Sequence, residues 1–235
     1  MKRLRKARFV WVYPIAVWLF ATANTSEPSM RFGLLVVVLG EALRLWANGY
    51  VGHVKVNVTQ HPDRPKIGQL ITAGPYAYVR NPLYVGTFII GLGFCIAVQN
   101  ILLALTALVC FAVFYRVKAA REHVTLLKEC GDAYATYQRA VPAWRPRWRP
   151  YEHRRGQWGW QGIVASKELK TVAWLGVALL ALYFREELWQ ERELFGAKHW
   201  LKHSLLAALL LALIISDGTF ELIHRFRRRP SAQPS

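Results

Sequence analysis

An all-α, polytopic helical membrane protein, with about five to six membrane segments around a central helical hairpin, is the fold class that this chain of 235 residues predicts. Three observations carry that expectation. Hydrophobic residues make up 54% of the chain while the formal net charge is +17. A soluble basic domain rarely combines the two, whereas membrane helices with basic flanks do so naturally. Apolar segments recur at 9–23, 32–51, 83–99, 101–117, 171–184 and 200–216. Most of the Lys and Arg residues then fall on one side of those segments if the N-terminus is cytoplasmic.

The elements follow in order. The basic tail Lys2–Arg8 precedes the first apolar run, and no signal-peptide cleavage pattern follows that run, so it is expected to stay as an anchor. The second run, 32–51, carries Glu41 and Arg44 three residues apart on one helix face. Ionisable groups at membrane depth are functional candidates, and a structural ion pair is the plainer reading. Next, Gly74-Pro75 marks a turn, and Asn81-Pro82 marks a helix start: Asn is a good N-cap, and Pro suits the first helical position. The helix start offers N–H groups and a positive dipole end to an anion. Runs 83–99 and 101–117, parted by the polar turn Gln99-Asn100, read as a tight hairpin. A tight hairpin brings Pro82 and Tyr115 to the same side. Lys118 and Glu122, four apart on one face, then converge with Asn81 and Tyr84. The same pattern also fits an ordinary charged juxtamembrane helix.

Residues 144–160 interleave Trp with Arg and read as an interfacial belt against anionic lipid, with stacking on bases as the rival reading. Runs 171–184 and 200–216 are weaker, and the first could be interfacial or re-entrant. The chain thus divides into a tail and first segment (1–31), a core (32–150) and an extension (151–235). Both termini and the site are expected on the cytoplasmic side of the membrane.

Several chemistries lack a signature. Cys95, Cys110 and Cys130 give an odd count with no paired spacing, so neither a disulfide nor a metal site is expected. His53, His61, His123 and His153 make no ligand spacing. No nucleophile elbow, phosphate-binding glycine loop or dinucleotide fingerprint occurs. The charge bias accounts for the basicity without nucleic acid.

The run Gly74-Pro75-Tyr76…Arg80-Asn81-Pro82-Leu83-Tyr84-Val85-Gly86 resembles a motif of the isoprenylcysteine carboxyl methyltransferase and phospholipid methyltransferase superfamily. Glu122-His123…Leu126…Gly131, then Tyr134, Tyr137 and Val141-Pro142, resembles its second motif. Gly40-Glu41-Ala42-Leu43-Arg44…Ala47 resembles its upstream helix, so the likeness covers roughly 36–146. The resemblance implies S-adenosylmethionine as cofactor. It places contacts at Gln69, Leu70, Ile71, Tyr76, Arg80, Asn81, Pro82, Leu83, Tyr84, Gly86, Glu122 and His123. It implies Lys118 and Glu122 as catalytic residues, with Lys118, Arg116 and Arg44 toward the substrate. Three positions depart from the family pattern: Asn81 stands for His, His123 for Glu and Lys118 for Arg. A Lys is a point charge without the bidentate fork.

The implied activity is methyl transfer from S-adenosylmethionine to a lipophilic acceptor at the cytoplasmic membrane face. The acceptor is either a carboxylate on a prenylated or lipid-like molecule or a phospholipid amine. A carboxylate needs a cation such as Lys118, Arg116 or Arg121, whereas an amine must shed a proton, for which Glu122 or His123 are candidates. A membrane reductase of the sterol-reductase type and a non-catalytic lipid-binding protein stand as alternatives. Membrane lipids are the expected partners.

Overall fold

The computed structural model describes residues 23–60, 70–166 and 168–191, all of whose regular structure is helical. The helices are α1 (Glu27–Gln60), α2 (Pro82–Val98), α3 (Ile101–Ala140), α4 (Trp160–Ser166) and α5 (Glu168–Glu191), with a 3-10 turn at Gly74–Ala77. Two compact units divide after Val172. Residues 70–172 and α1 lie in the first. In the second, Val177 and Leu182 are buried while Leu180 and Tyr183 are exposed.

α1 begins where Ser26 and Ser29 exchange side chain–backbone hydrogen bonds of 3.0 and 3.4 Å, satisfying N–H groups that a helix start leaves free. Ser29 Oγ also donates to the Ala97 carbonyl at 3.2 Å, and the Asn24 N–H donates to the Val98 carbonyl at 3.1 Å. These bonds tie the start of α1 to the end of α2, so the two run antiparallel. Along their contact, glycines face glycines. A Cβ on Gly33 would stand 2.6 Å from the Gly93 carbonyl oxygen, and one on Gly40 would stand 2.8 Å from that of Gly86. Each helix repeats its glycine after seven residues, which is two turns and returns to the same face. The backbones therefore approach as small-residue helix pairs do.

The expected α2–α3 hairpin forms, but the close helix packing lies elsewhere. The partner that α2 packs along is α1. α3 reaches α2 through rings: Phe88 and Phe111 at 5.1 Å between centroids, Tyr84 and Tyr115 at 4.8 Å. The turn itself forms as expected, with Gln99 in the left-handed region closing α2. α3 continues well past the apolar run, so the helix carrying Lys118 and Glu122 is unbroken through Cys130. Gly131, at φ 50° and ψ −129°, then turns its last stretch.

That stretch and the segment after it close one end of the unit. Tyr134, Tyr137, Val141 and Tyr151 form a buried cluster with Ala77. Segment 141–155 runs beside 72–80. The Arg80 N–H donates to Pro142, that of Tyr151 to Ala77 and that of Thr72 to Arg155, all at 2.9 Å. α4 lies on α1, where a Cβ on Gly162 would stand 2.6 Å from the Asn48 carbonyl.

Among the described residues no helix is long and apolar enough to cross a membrane. Large apolar side chains are nevertheless exposed in rows: Phe32, Leu35, Val38 and Leu39 on α1, and Ile101, Leu105, Val109, Val113 and Phe114 on α3. Cys95, Cys110 and Cys130 are free. The apolar run 200–216, nearly all of 9–23, the terminal basic tails, His61 and Gln69 lie outside the described residues.

Candidate active site

A cavity of about 630 Å³ opens where the second half of α1 and the first turns of α2 and α5 meet the middle of α3. It gathers Arg44, Leu70, Ile71, Tyr76, Arg80, Asn81, Pro82, Leu83, Tyr84, Lys118 and Glu122, residues that the sequence spreads over 79 positions and that had been expected together. Tyr84 is its pivot. Its phenol donates to Glu122 Oε1 at 2.5 Å, and Lys118 Nζ lies over its ring, 4.8 Å from the centroid. The carboxylate and the ammonium thus meet on one aromatic side chain. Both Glu122 and Lys118 are exposed, so this end of the cavity opens to solvent.

The loop before α2 is held from behind. Arg80 Nε donates to the Val141 carbonyl at 2.8 Å, and Tyr137 donates to the Tyr76 carbonyl at 2.7 Å. Burial drives the phenols of Tyr76 and Tyr137 well above the ordinary tyrosine range, so both stay neutral. Asn81 occupies the N-cap position of α2, but its side chain makes no cap bond, contrary to expectation. Its amide instead donates to the Ala143 carbonyl at 3.1 Å, latching segment 141–155.

Three expected residues lie elsewhere. Gly86 belongs to the α1–α2 contact, where a Cβ would stand 2.6 Å from Arg44 Cγ. Arg116 and His123 line a smaller neighbouring cavity of about 210 Å³, which shares Arg80, Asn81 and Glu122 with the larger one. There His123 Nδ1 lies 3.3 Å from the Tyr134 hydroxyl.

The opposite end of the cavity is buried and polar. Arg44 donates through Nε to Glu168 Oε1 at 2.6 Å and through Nη1 to Thr87 Oγ1 at 2.5 Å, with Nη2 also 2.6 Å from Glu168. Glu41 Oε2 stands 3.6 Å from Arg44 Nε. Asn48, Thr87, Ser166, Glu168 and Thr171 complete this wall, and sequence reasoning missed them. Asn48 had a usable signal. It follows Arg44 by four residues and so continues the Glu41–Arg44 face inside an apolar run. Glu168 had none, because its meeting with α1 is purely tertiary. Among the described residues no cluster of three or more His, Cys, Asp or Glu is placed to hold a metal ion.

Residues 28–129 match the family described as Phospholipid methyltransferase. The chain is 32% identical over 143 residues to Protein-S-isoprenylcysteine O-methyltransferase of Homo sapiens, covering 57% of this chain and 50% of that protein. It is 36% identical over 108 residues to the protein of the same name in Schizosaccharomyces pombe, covering 46% and 45%. It is also 29% identical over 137 residues to Cobalt-zinc-cadmium resistance protein CzcN of Cupriavidus metallidurans, covering 58% and 56%. The chain thus spans about half the length of the curated relatives it matches. No solved structure matches it. Ser166, Glu168 and Thr171 of the buried wall lie beyond the family match, whereas the pivot Tyr84–Glu122–Lys118 lies inside it. Residues 28–129 thus carry the chain's likeness to the isoprenylcysteine and phospholipid methyltransferases.

Proposed function

We propose that the protein is a membrane-embedded methyltransferase that uses S-adenosylmethionine and acts on a lipophilic acceptor. The observation that carries this reading is the pivot at Tyr84, where a carboxylate and an ammonium share one ring at the solvent-open end of a cavity that Leu70, Ile71 and Tyr76 also line. The cofactor fits that lining. Its cationic sulfur and amino group call for a carboxylate, which Glu122 supplies. Its carboxylate calls for a cation, which Lys118 supplies. Its base calls for apolar walls, which Leu70 and Ile71 supply. A volume of about 630 Å³ lies in the range of small-molecule sites, roughly 300–1,000 Å³. Gln69 and Gly86 complete the expected contact set on the strength of the resemblance alone.

When bound, the cofactor supplies a methyl group activated by a positive sulfur. The chain's own residues have little covalent work to do. Tyr84 fixes the direction of Glu122, Arg80 and Asn81 hold the loop before α2 in place, and Pro82, Leu83 and Tyr115 exclude water from the reacting end. The rows of exposed Leu, Val, Ile and Phe on α1 and α3 support placement in lipid, from which an acceptor would enter between helices.

Calorimetry on the purified full-length protein tests the reading. The wild type is expected to bind S-adenosylmethionine. Tyr84→Phe should weaken binding by about 1 kcal/mol and Glu122→Ala by about 1–3 kcal/mol, the range for losing one hydrogen bond and for unpairing a charged partner. Two folded variants with wild-type affinity would remove the site from the cofactor.

A further inference from the structure

We infer that segment 141–160 is a strap whose basic outer face docks on an anionic bilayer surface, and that this docking strengthens cofactor binding by keeping the loop at 70–81 in place. This rests on the methyltransferase reading above and adds the regulation of that same site by lipid charge.

The strap has two unlike faces. Its inner face is bonded to the loop that lines the cavity. The Arg147 N–H donates to the Tyr78 carbonyl at 3.0 Å, and the N–H groups of Thr72 and Ala73 donate to the Arg155 carbonyl at 2.9 and 3.1 Å. The Thr72 hydroxyl donates to the His153 carbonyl at 2.7 Å and accepts from the Arg155 N–H at 2.9 Å. Gly156, at φ 119°, then passes Ile71 of the cavity, where a Cβ would stand 3.1 Å from the Ile71 side chain. A strap that peels away therefore takes the partners of Thr72, Ala73 and Tyr78 with it, next to the residues proposed to hold the cofactor. Peeling is the kind of local opening that costs less than global unfolding.

The outer face works against this docking. Arg145, Arg147, Arg149, Arg154 and Arg155 crowd into one stretch whose sole carboxylate is Glu152. Among the described residues no carboxylate lies within ion-pair reach of any of the five. Pro142, Pro146 and Pro150 fix φ at every fourth residue, so the arginines cannot spread while the strap stays on the loop. Their mutual repulsion opposes the docked path and falls when the strap is released. A partner shifts such an equilibrium only by preferring one state. An anionic surface prefers the docked strap, where positive charge is densest, and a zwitterionic surface has no such preference. Trp148, fully exposed between Arg147 and Arg149, suits the headgroup level of a bilayer. The exposed apolar rows of α1 and α3 favour lipid over nucleic acid as the source of the negative charge.

The test places the full-length protein in nanodiscs of phosphatidylcholine, alone or with about one third phosphatidylglycerol. The ligand is S-adenosylhomocysteine, which lacks the positive sulfur and is neutral overall, so the disc's own potential does not concentrate it. At low salt, calorimetry should give binding about fivefold tighter in the anionic discs. That gain should vanish in about 1 M salt, where the Debye length falls to about 3 Å. The side chains of Arg145, Arg149 and Arg154 are exposed. The triple variant Arg145→Gln/Arg149→Gln/Arg154→Gln relieves the repulsion without lipid and should bind at the tighter level in both discs. Equal wild-type affinity in the two discs, a gain that survives high salt, or an unchanged lipid response in the variant would overturn the inference. Trypsin cleavage after Arg155, followed by mass spectrometry without ligand, reads release of the strap directly and should be about fivefold slower in the anionic discs. Protection by lipid with no ligand binding in either disc would support the docking and overturn the methyltransferase reading. Cleavage equally fast in both discs would overturn the docking whatever the ligand does. Protection given by added single-stranded RNA and not by anionic lipid would assign the face to nucleic acid and overturn it too.

Discussion

At the scale of single residues, one tyrosine meets the partners its position suggests, while one asparagine does different work from what its position suggests. Tyr84 is a first-turn residue of α2, and it carries both a carboxylate and an ammonium. If Lys118 serves the cofactor end, Lys118→Ala should raise the KM for S-adenosylmethionine and leave the KM of the acceptor within about twofold. A steady-state titration of each substrate separates the two. Asn81 stands where the family pattern has His, and its side chain latches Ala143, next to Trp144, whose ring centroid is 6.2 Å from that of Tyr84. Asn81→Ala should therefore act first on stability, by about 0.5–1.5 kcal/mol, with a loss of cofactor affinity following from the loosened segment. Thermal unfolding and calorimetry on the same variant check this. Lost affinity with unchanged stability would return Asn81 to direct cofactor contact.

At the scale of elements, the α1–α2 contact determines the cavity wall, because Arg44 and Asn48 on α1 are aimed by how closely α1 approaches α2. That approach depends on Gly33, Gly40, Gly86 and Gly93. Gly40→Ala or Gly86→Ala forces a methyl group against backbone and should cost about 1–3 kcal/mol. Gly91→Ala on the same helix α2 meets nothing within 4 Å and should be neutral or stabilising by up to about 1 kcal/mol. Thermal melts of the three variants in one detergent compare them directly. Gly131 also faces open space, but its φ of 50° makes an alanine there strained whatever the room. Much of this was legible in the sequence. The helix start at Pro82, the Gln99-Asn100 turn and the shared face of Lys118 and Glu122 follow from capping, turn chemistry and the helical period. The choice of α1 as the packing partner of α2 was not legible, because hydrophobic periodicity says which residues are apolar and not which helix they meet. The glycines were its only trace. The contribution of Glu168 was invisible for a similar reason: its partner lies 124 residues away.

At the scale of the whole molecule, the open question is how a chain with a net charge of +17 and rows of exposed leucine and phenylalanine meets its surroundings. The two features are compatible if they face different media. The apolar rows on α1 and α3 would lie in lipid, and the segment with Arg145, Arg147, Arg149, Arg154 and Arg155 would lie at the cytoplasmic surface, drawn by anionic headgroups. Trp148, fully exposed at the centre of that segment, is the natural reporter. Cys110 is exposed within the apolar part of α3, so a Cys110→Ala background removes a competing thiol. In that background Trp148→Cys should react with a membrane-impermeant maleimide only after the cells are permeabilised, and the protein should stay in the membrane fraction through an alkaline carbonate wash. Labelling in intact cells would reverse the orientation and put the solvent-open end of the cavity, with Glu122 and Lys118, on the side away from cytoplasmic cofactor. Release by carbonate would instead remove the chain from the bilayer and oblige the apolar rows to be covered by protein. The two measurements fail independently, so orientation and embedding are decided separately.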